Sequence, residues 1–230
     1  MLQQTQVERV REKYTTFLAR FPDVESLAGA STEEVLAAWQ GLGYNRRALA
    51  LKNAAGEIVE RFGGILPGDE KSLRCLPGVG PYTAAAILTF AFNRPVVMIE
   101  TNIRRVFIHC FFKDQTTVAD EEILPFIEAT LDRENPRDWY NALMDYGWYL
   151  GTIMENPNRR SRHYSRQAPF EGSNRQIRGK ILRLLVGGGD MAIEELSRGL
   201  DLPVLSIGPV ISQLEKEGFI TREEDRVRIT

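Results

Sequence analysis

Thiols and imidazoles are scarce in this chain of 230 residues, which holds only Cys75 and Cys110 and only His109 and His163. Two widely separated cysteines form neither a disulfide framework nor a metal-ligand spacing, and the histidines are not paired either. No metal site is therefore expected, and both cysteines read as small buried apolar side chains. Long apolar runs are also missing: none approaches the roughly 18 residues of a membrane span. The first residues, Met1-Leu2-Gln3-Gln4-Thr5-Gln6, lack the basic and apolar regions of a signal peptide. The expected location is the cytoplasm, with the nucleoid as the site of action and no membrane partner. Large net charge is absent too, at -2, so the molecule as a whole gives no sign of a polyanionic partner. What is present, 43% apolar and 26% charged residues, is the composition of a folded globular protein with one large domain or two modest ones.

The pattern along the chain is helix after helix. Val7, Val10, Tyr14, Phe17 and Leu18 recur at helical spacing and predict one apolar face. Ser31-Thr32-Glu33-Glu34 fits a capping box ahead of Val35, Leu36 and Trp39. Gly41 and Gly43 stop that helix, and another is expected over Arg47–Phe62. Residues Leu73 to Gly80 read as a turn, followed by a helix from Pro81 to about Phe92, with proline at its first position. Helices beginning near Ile103 and over 120–132 and 138–150 follow, with no alternating strand pattern. The fold class is therefore mainly α. Residues 155–174, rich in Asn, Pro, Ser and Arg, read as a basic linker. The tail, 175–230, gives helical patterns near 175–186, 191–199 and 204–217. It then alternates over Val227-Arg228-Ile229, the outline of a small winged-helix-like domain.

Two features carry chemistry. Leu76-Pro77-Gly78-Val79-Gly80 places two glycines around one apolar residue immediately before a helix. Such a hairpin exposes backbone N–H groups at a helix N-terminus, which bind phosphate without a positive side chain. On a nucleic acid, such contacts would hold the backbone and leave base identity unread. The second feature is a local basic run, Arg159, Arg160, Arg162, Arg166, Arg175, Arg178, Lys180 and Arg183, set against Glu171. A stripe of this kind serves a polyanion even when the net charge does not.

The hairpin, the following Tyr82-Thr83-Ala84-Ala85-Ala86-Ile87 and the downstream Met98-Ile99-Glu100-Thr101-Asn102-Ile103-Arg104-Arg105-Val106 resemble the helix-hairpin-helix (HhH-GPD) DNA glycosylases. Met1-Leu2-Gln3-Gln4-Thr5-Gln6-Val7 and Gly41-Leu42-Gly43-Tyr44 are similar to the adenine DNA glycosylase (MutY-like) branch. The resemblance covers about 1–150. It implies a two-lobed helical glycosylase domain over 1–154, with a barrel lobe over 1–94 and a second lobe over 95–154. The implied partner is double-stranded DNA with a mismatched or damaged base, flipped from the stack into a pocket. Gln3, Gln4 and Tyr44 are then the wedge residues beside the target and its opposite base. Leu76, Gly78, Val79, Gly80 and Arg104 are expected at the DNA backbone. Glu100 is the carboxylate that stabilises or captures the sugar cation, and Asn102 orients it.

The sequence departs from that pattern in several places. Glu100 stands where the family normally has aspartate. The adenine branch uses a glutamate just upstream of its Met-Leu-Gln-Gln motif, so that acid is expected before Met1. Many relatives ligate an iron–sulfur cluster with four cysteines, whereas the corresponding stretch here, Ile153 to Arg160, contains none, so no cofactor is expected. A monovalent cation at the hairpin is compatible with the resemblance. Strand-cleaving relatives carry a lysine where Tyr82 stands, which implies a glycosylase without lyase activity. The expected function is removal of adenine opposite G or 8-oxoguanine. A thymine or uracil glycosylase at G mismatches, whose relatives carry basic residues in place of Gln3 and Gln4, is one alternative. A non-catalytic mismatch-binding protein is another. The tail is read as docking on DNA or on a protein.

Overall fold

The computed structural model describes residues 1–166 and 169–230. Gln167 and Ala168, part of the segment read as a linker, lie outside the described residues. Within each of two compact units the described residues are densely packed: unit 1 holds 1–66, 76–78 and 169–230, and unit 2 holds 67–75 and 79–166. These units do not divide at 94 and 154, because helices distant in sequence share a core.

In unit 1, α1 (Val7–Arg20), α2 (Val24–Gly29), α3 (Thr32–Trp39) and α4 (Arg46–Phe62) come first. Side chains start the short helices: Asp23 accepts from the Ser26 N–H, and Ser31 and Glu34 close the expected capping box. Only Val10 and Phe17 of the predicted α1 face are buried, while Val7, Tyr14 and Leu18 are exposed. The helix packs on α3 through one narrow stripe, so the wider face read from periodicity is only partly used.

In unit 2, α5 (Glu70–Arg74) and α6 (Pro81–Phe90) precede α7 (Thr101–Phe111), α8 (Asp120–Thr130) and α9 (Pro136–Ile153). Part of the stretch read as a turn is thus helical, with Asp69 accepting from the Ser72 N–H and Leu73 fully buried. The core joins Met98, Ile103, Phe107, Ile108, Ile123, Ile127 and Tyr140. A 3-10 turn over Pro157–Arg160 follows α9, with Asn158 and Ser161 buried, so this stretch is docked structure and not a solvated linker. Both cysteines are exposed, contrary to expectation: Cys75 caps the C-terminus of α5, and Cys110 falls in the last turn of α7.

The rest of unit 1 comprises α10 (Asn174–Gly188), β1 (Met191–Ala192), α11 (Ile193–Leu200), α12 (Val204–Lys216), β2 (Ile220–Glu223) and β3 (Arg226–Ile229). The strands form an antiparallel sheet of order β1-β3-β2, with Met191 opposite Val227 and Ile220 opposite Ile229. Ile181, Leu185, Leu196, Ile211, Leu214 and Phe219 join Val35, Leu36 and Trp39 in one continuous core. Among the described residues, no helix is long and apolar enough to cross a membrane.

Candidate active site

In unit 2, Glu100 is the N-cap of α7, and its Oε1 accepts from the backbone N–H of Asn102 (2.5 Å) and of Ile103 (2.9 Å). Among the described residues, Oε2 takes no hydrogen bond. Burial pushes the Glu100 carboxyl above the ordinary carboxylate range, against the two N–H bonds and the positive charges of Arg104 and Arg105, which favour the anion. Tyr82, in the first turn of α6, lies near enough to Glu100 for the carboxylate charge to oppose ionisation of its phenol. Burial and the Glu100 charge push its hydroxyl up to about 12, so at neutral pH it is an uncharged phenol.

Asn102 Oδ1 accepts from Arg105 Nη1 at 2.9 Å, and Arg105 Nε donates to Asn156 Oδ1 at 3.1 Å. Arg105 Nη1 also donates to the Gly147 carbonyl on α9. A Cβ on Gly147 would lie 2.3 Å from the Asn102 carbonyl oxygen and 2.7 Å from its carbon. Only glycine lets α9 approach the turn that carries Glu100 this closely. Arg104, expected at the DNA backbone, is instead held by Asp120 through Nε–Oδ1 (2.6 Å) and Nη2–Oδ2 (2.7 Å). A bidentate, largely buried pair of this kind leaves the guanidinium committed within the protein.

In unit 1, the expected wedge residues surround a side chain that the sequence reading did not single out. Arg47 Nη1 donates to the carbonyls of Met1 (2.8 Å) and Gln3. Its Nη2 donates to Thr5 Oγ1 (2.9 Å) and to the carbonyls of Leu42 and Gly43 (both 3.2 Å). The guanidinium lies 5.4 Å from the ring centroids of both Trp39 and Tyr44. It thereby ties the Met1–Thr5 segment to the turn that presents Tyr44. Gln4 and Tyr44 themselves adopt left-handed backbone angles, φ 55° and 48°, a strained state that concentrates at functional sites.

The hairpin glycines differ in what constrains them. Gly78 has φ +73°, and a Cβ there would meet Ala50 Cβ of α4 at 2.6 Å. Gly80 is the N-cap of α6 in ordinary extended geometry, no side chain caps that helix, and nothing lies within 4 Å of its Cβ position. Leu76 is buried and anchors the hairpin from within, whereas Val79 is half-buried. Of the basic run, Arg160 donates to the carbonyls of Ile108 (3.3 Å), Phe112, Lys113 (3.0 Å) and Gln115 (3.1 Å). Arg178 pairs with Glu217, whereas Arg162 and Arg166 are exposed. Among the described residues no cluster of His, Cys, Asp and Glu could hold a metal ion. Ile153 to Arg160 offers no thiolate, so these residues do not fit an iron–sulfur cluster.

A glycine hairpin opening one helix, a second helix capped by a half-buried carboxylate and a core of α-helices are features of the class of DNA base-excision proteins. The sequence profile of the HhH-GPD superfamily of base excision DNA repair proteins matches residues 1–125, and the chain belongs to that family. An adenine DNA glycosylase of Mycolicibacterium smegmatis is 33% identical over 201 residues, covering 80% of this chain and 69% of that protein. The adenine DNA glycosylase of Mus musculus is 37% identical over 151 residues, 64% of this chain but 29% of that protein. A thermostable thymine-DNA glycosylase structure superposes with a TM-score of 0.57 over 68% of this chain and 73% of its own, at 24% identity, which shows the shared fold.

Proposed function

We propose that this protein hydrolyses the N-glycosidic bond of adenine mispaired with G or 8-oxoguanine in duplex DNA; relatives named adenine DNA glycosylases support the adenine part of this reading. The observation that carries this reading is the Glu100 carboxylate, half-buried, fixed through one oxygen and, among the described residues, without a hydrogen bond at the other. Breaking the bond between sugar and base leaves positive charge on the sugar. An anion already oriented by two backbone N–H groups stabilises that charge without reorganising at the moment of reaction. The α7 N-terminus supplies those donors and a favourable dipole, which favour the anion and oppose the effect of burial.

Tyr82 offers no amine for a Schiff base, and its hydroxyl stays protonated at neutral pH. Base release therefore ends at an intact abasic site, without strand cleavage. The N–H groups at the start of α6 take a DNA phosphate, and Arg47, bonded to residues on either side of Gln4 and stacked over Tyr44, positions Gln3, Gln4 and Tyr44 for insertion at the mismatch. The element order and sheet of 175–230 support its reading as a winged helix, docking on DNA or on a protein.

The test is single-turnover base release from duplexes with A opposite 8-oxoguanine, A opposite G, T opposite G and U opposite G, with alkali revealing abasic sites. Release of adenine alone is expected, with no covalent adduct trapped by borohydride. Release confined to thymine or uracil would overturn the assignment.

A further inference from the structure

We propose that Asn158, acting with Asn156 and Arg105, is a positioning residue for the Glu100 carboxylate: it fixes the peptide unit whose N–H grips Glu100. The proposal rests on the reading of Glu100 as the charge-stabilising group.

Asn158 Nδ2 donates to the Thr101 carbonyl at 2.8 Å. The Thr101 carbonyl and the Asn102 N–H belong to one planar peptide unit, and that N–H donates to Glu100 Oε1 at 2.5 Å. A bond that orients one end of a rigid plane orients the other. Asn158 thus reaches the carboxylate through a single amide, without touching it. The neighbouring bonds hold the same turn from another side. Asn156 Oδ1 accepts both the Asn158 N–H (3.1 Å) and Arg105 Nε (3.1 Å), and Arg105 holds Asn102 Oδ1. The far end of the turn over Pro157–Arg160 is fixed independently, by Arg160 on the carbonyls at the end of α7. One short segment therefore grips α7 at both termini.

Asn158 is 4% exposed, and among the described residues its buried Oδ1 has no hydrogen-bond partner. Holding a polar amide in the interior carries a desolvation cost, which the bond from Nδ2 to the Thr101 carbonyl offsets. The donor directed at Thr101 is what an asparagine supplies here that an apolar side chain of similar size does not.

The experiment compares Asn158→Ala, Asn156→Ala, Ser161→Ala and Glu100→Gln with the unaltered chain. Ser161 is buried in the same segment but forms no hydrogen bond to α7 among those observed. Readouts are single-turnover adenine release across pH and binding to a mismatched duplex whose 2′-fluoro sugar resists cleavage. Asn158→Ala is expected to slow release about tenfold or more, the scale of a small displacement at a reacting centre. Its duplex affinity should stay within about twofold, because phosphate contacts are untouched. The acidic limb of its pH profile should move to higher pH, since the anion loses a well-placed donor. Ser161→Ala should behave as wild type. If Asn158→Ala does not fold, Asn156→Ala decides by the same criteria. Wild-type rate and pH profile in both asparagine variants, with Glu100→Gln inactive, overturns the proposal and leaves the role of Glu100 standing. So does a parallel loss of rate and affinity in Ser161→Ala with no shift of the acidic limb. Wild-type release by Glu100→Gln removes the reading of Glu100 itself, and the positioning role with it.

Discussion

Two demands meet at Glu100. Burial favours the neutral acid, whereas stabilising a sugar cation needs the anion, and the balance struck leaves the carboxyl above its ordinary range. In the proposed reaction the anion is the working form, so base release should rise as pH increases through that elevated value, with an acidic limb above the usual glutamate range. Glu100→Gln keeps an acceptor for the Asn102 and Ile103 N–H groups but removes the charge. It should lower release by roughly a hundred- to a thousandfold, the scale of losing a preorganised electrostatic group. A pH–rate series on both proteins checks this, and an acidic limb that persists in the Gln variant would assign it to another group. The place of Glu100 was legible from its motif. Arg47 was not, because its partners Met1, Gln3, Leu42 and Gly43 are carbonyl oxygens brought together only by folding.

The hairpin and its flanking helices illustrate what an element's outline reveals and what it hides. Both glycines were legible as a turn before a helix, but only the packing separates their roles. At Gly78 a side chain meets both a left-handed backbone and Ala50, so Gly78→Ala should cost on the order of 1–3 kcal/mol of stability as well as duplex affinity. At Gly80 the backbone angles suit any residue and the space is open. Gly80→Ala should leave thermal stability nearly unchanged while weakening binding to all duplexes about equally, because a Cβ would intrude on the proposed phosphate contact. Melting curves and affinities for matched and mismatched duplexes check both halves. A selective loss on one mismatch would contradict a phosphate role. The turn over Pro157–Arg160 shows the opposite limit. Its Asn, Pro and Arg content announces an irregular segment, yet nothing in composition indicates that Asn158 and Arg160 dock it on α7.

On the scale of the whole molecule, the C-terminal helices and sheet share one core with α1–α4, and an ion-pair node belongs to that arrangement. Glu217, after α12, accepts from Arg178 Nη2 at 2.5 Å and from Arg46 Nε at 2.8 Å, and these partners lower its carboxyl from 4.5 to about 2. A depressed carboxylate stabilises the fold above its unfolded value, and that stabilisation is lost as pH falls from about 4.5 toward 2. Allowing for solvent screening at the exposed Arg46, the contribution is on the order of 2 kcal/mol. Chemical unfolding followed over that window should show the wild type losing this increment and Glu217→Gln lacking it throughout. A Gln variant with an unchanged acid transition would place the effect elsewhere. By itself the sequence determined the helical class, the hairpin, the capping box at Ser31 and the chain position of the candidate carboxylate, all of which depend on local spacing and backbone preference. The tertiary structure alone decided that Arg104 is spent on Asp120, that Arg47 gathers the N-terminal segment and that the C-terminal elements join the first core. It also decided that Asn158 holds the amide beside Glu100. Each of these depends on contacts between residues far apart in sequence, where burial and geometric fit, and not local pattern, choose the partner.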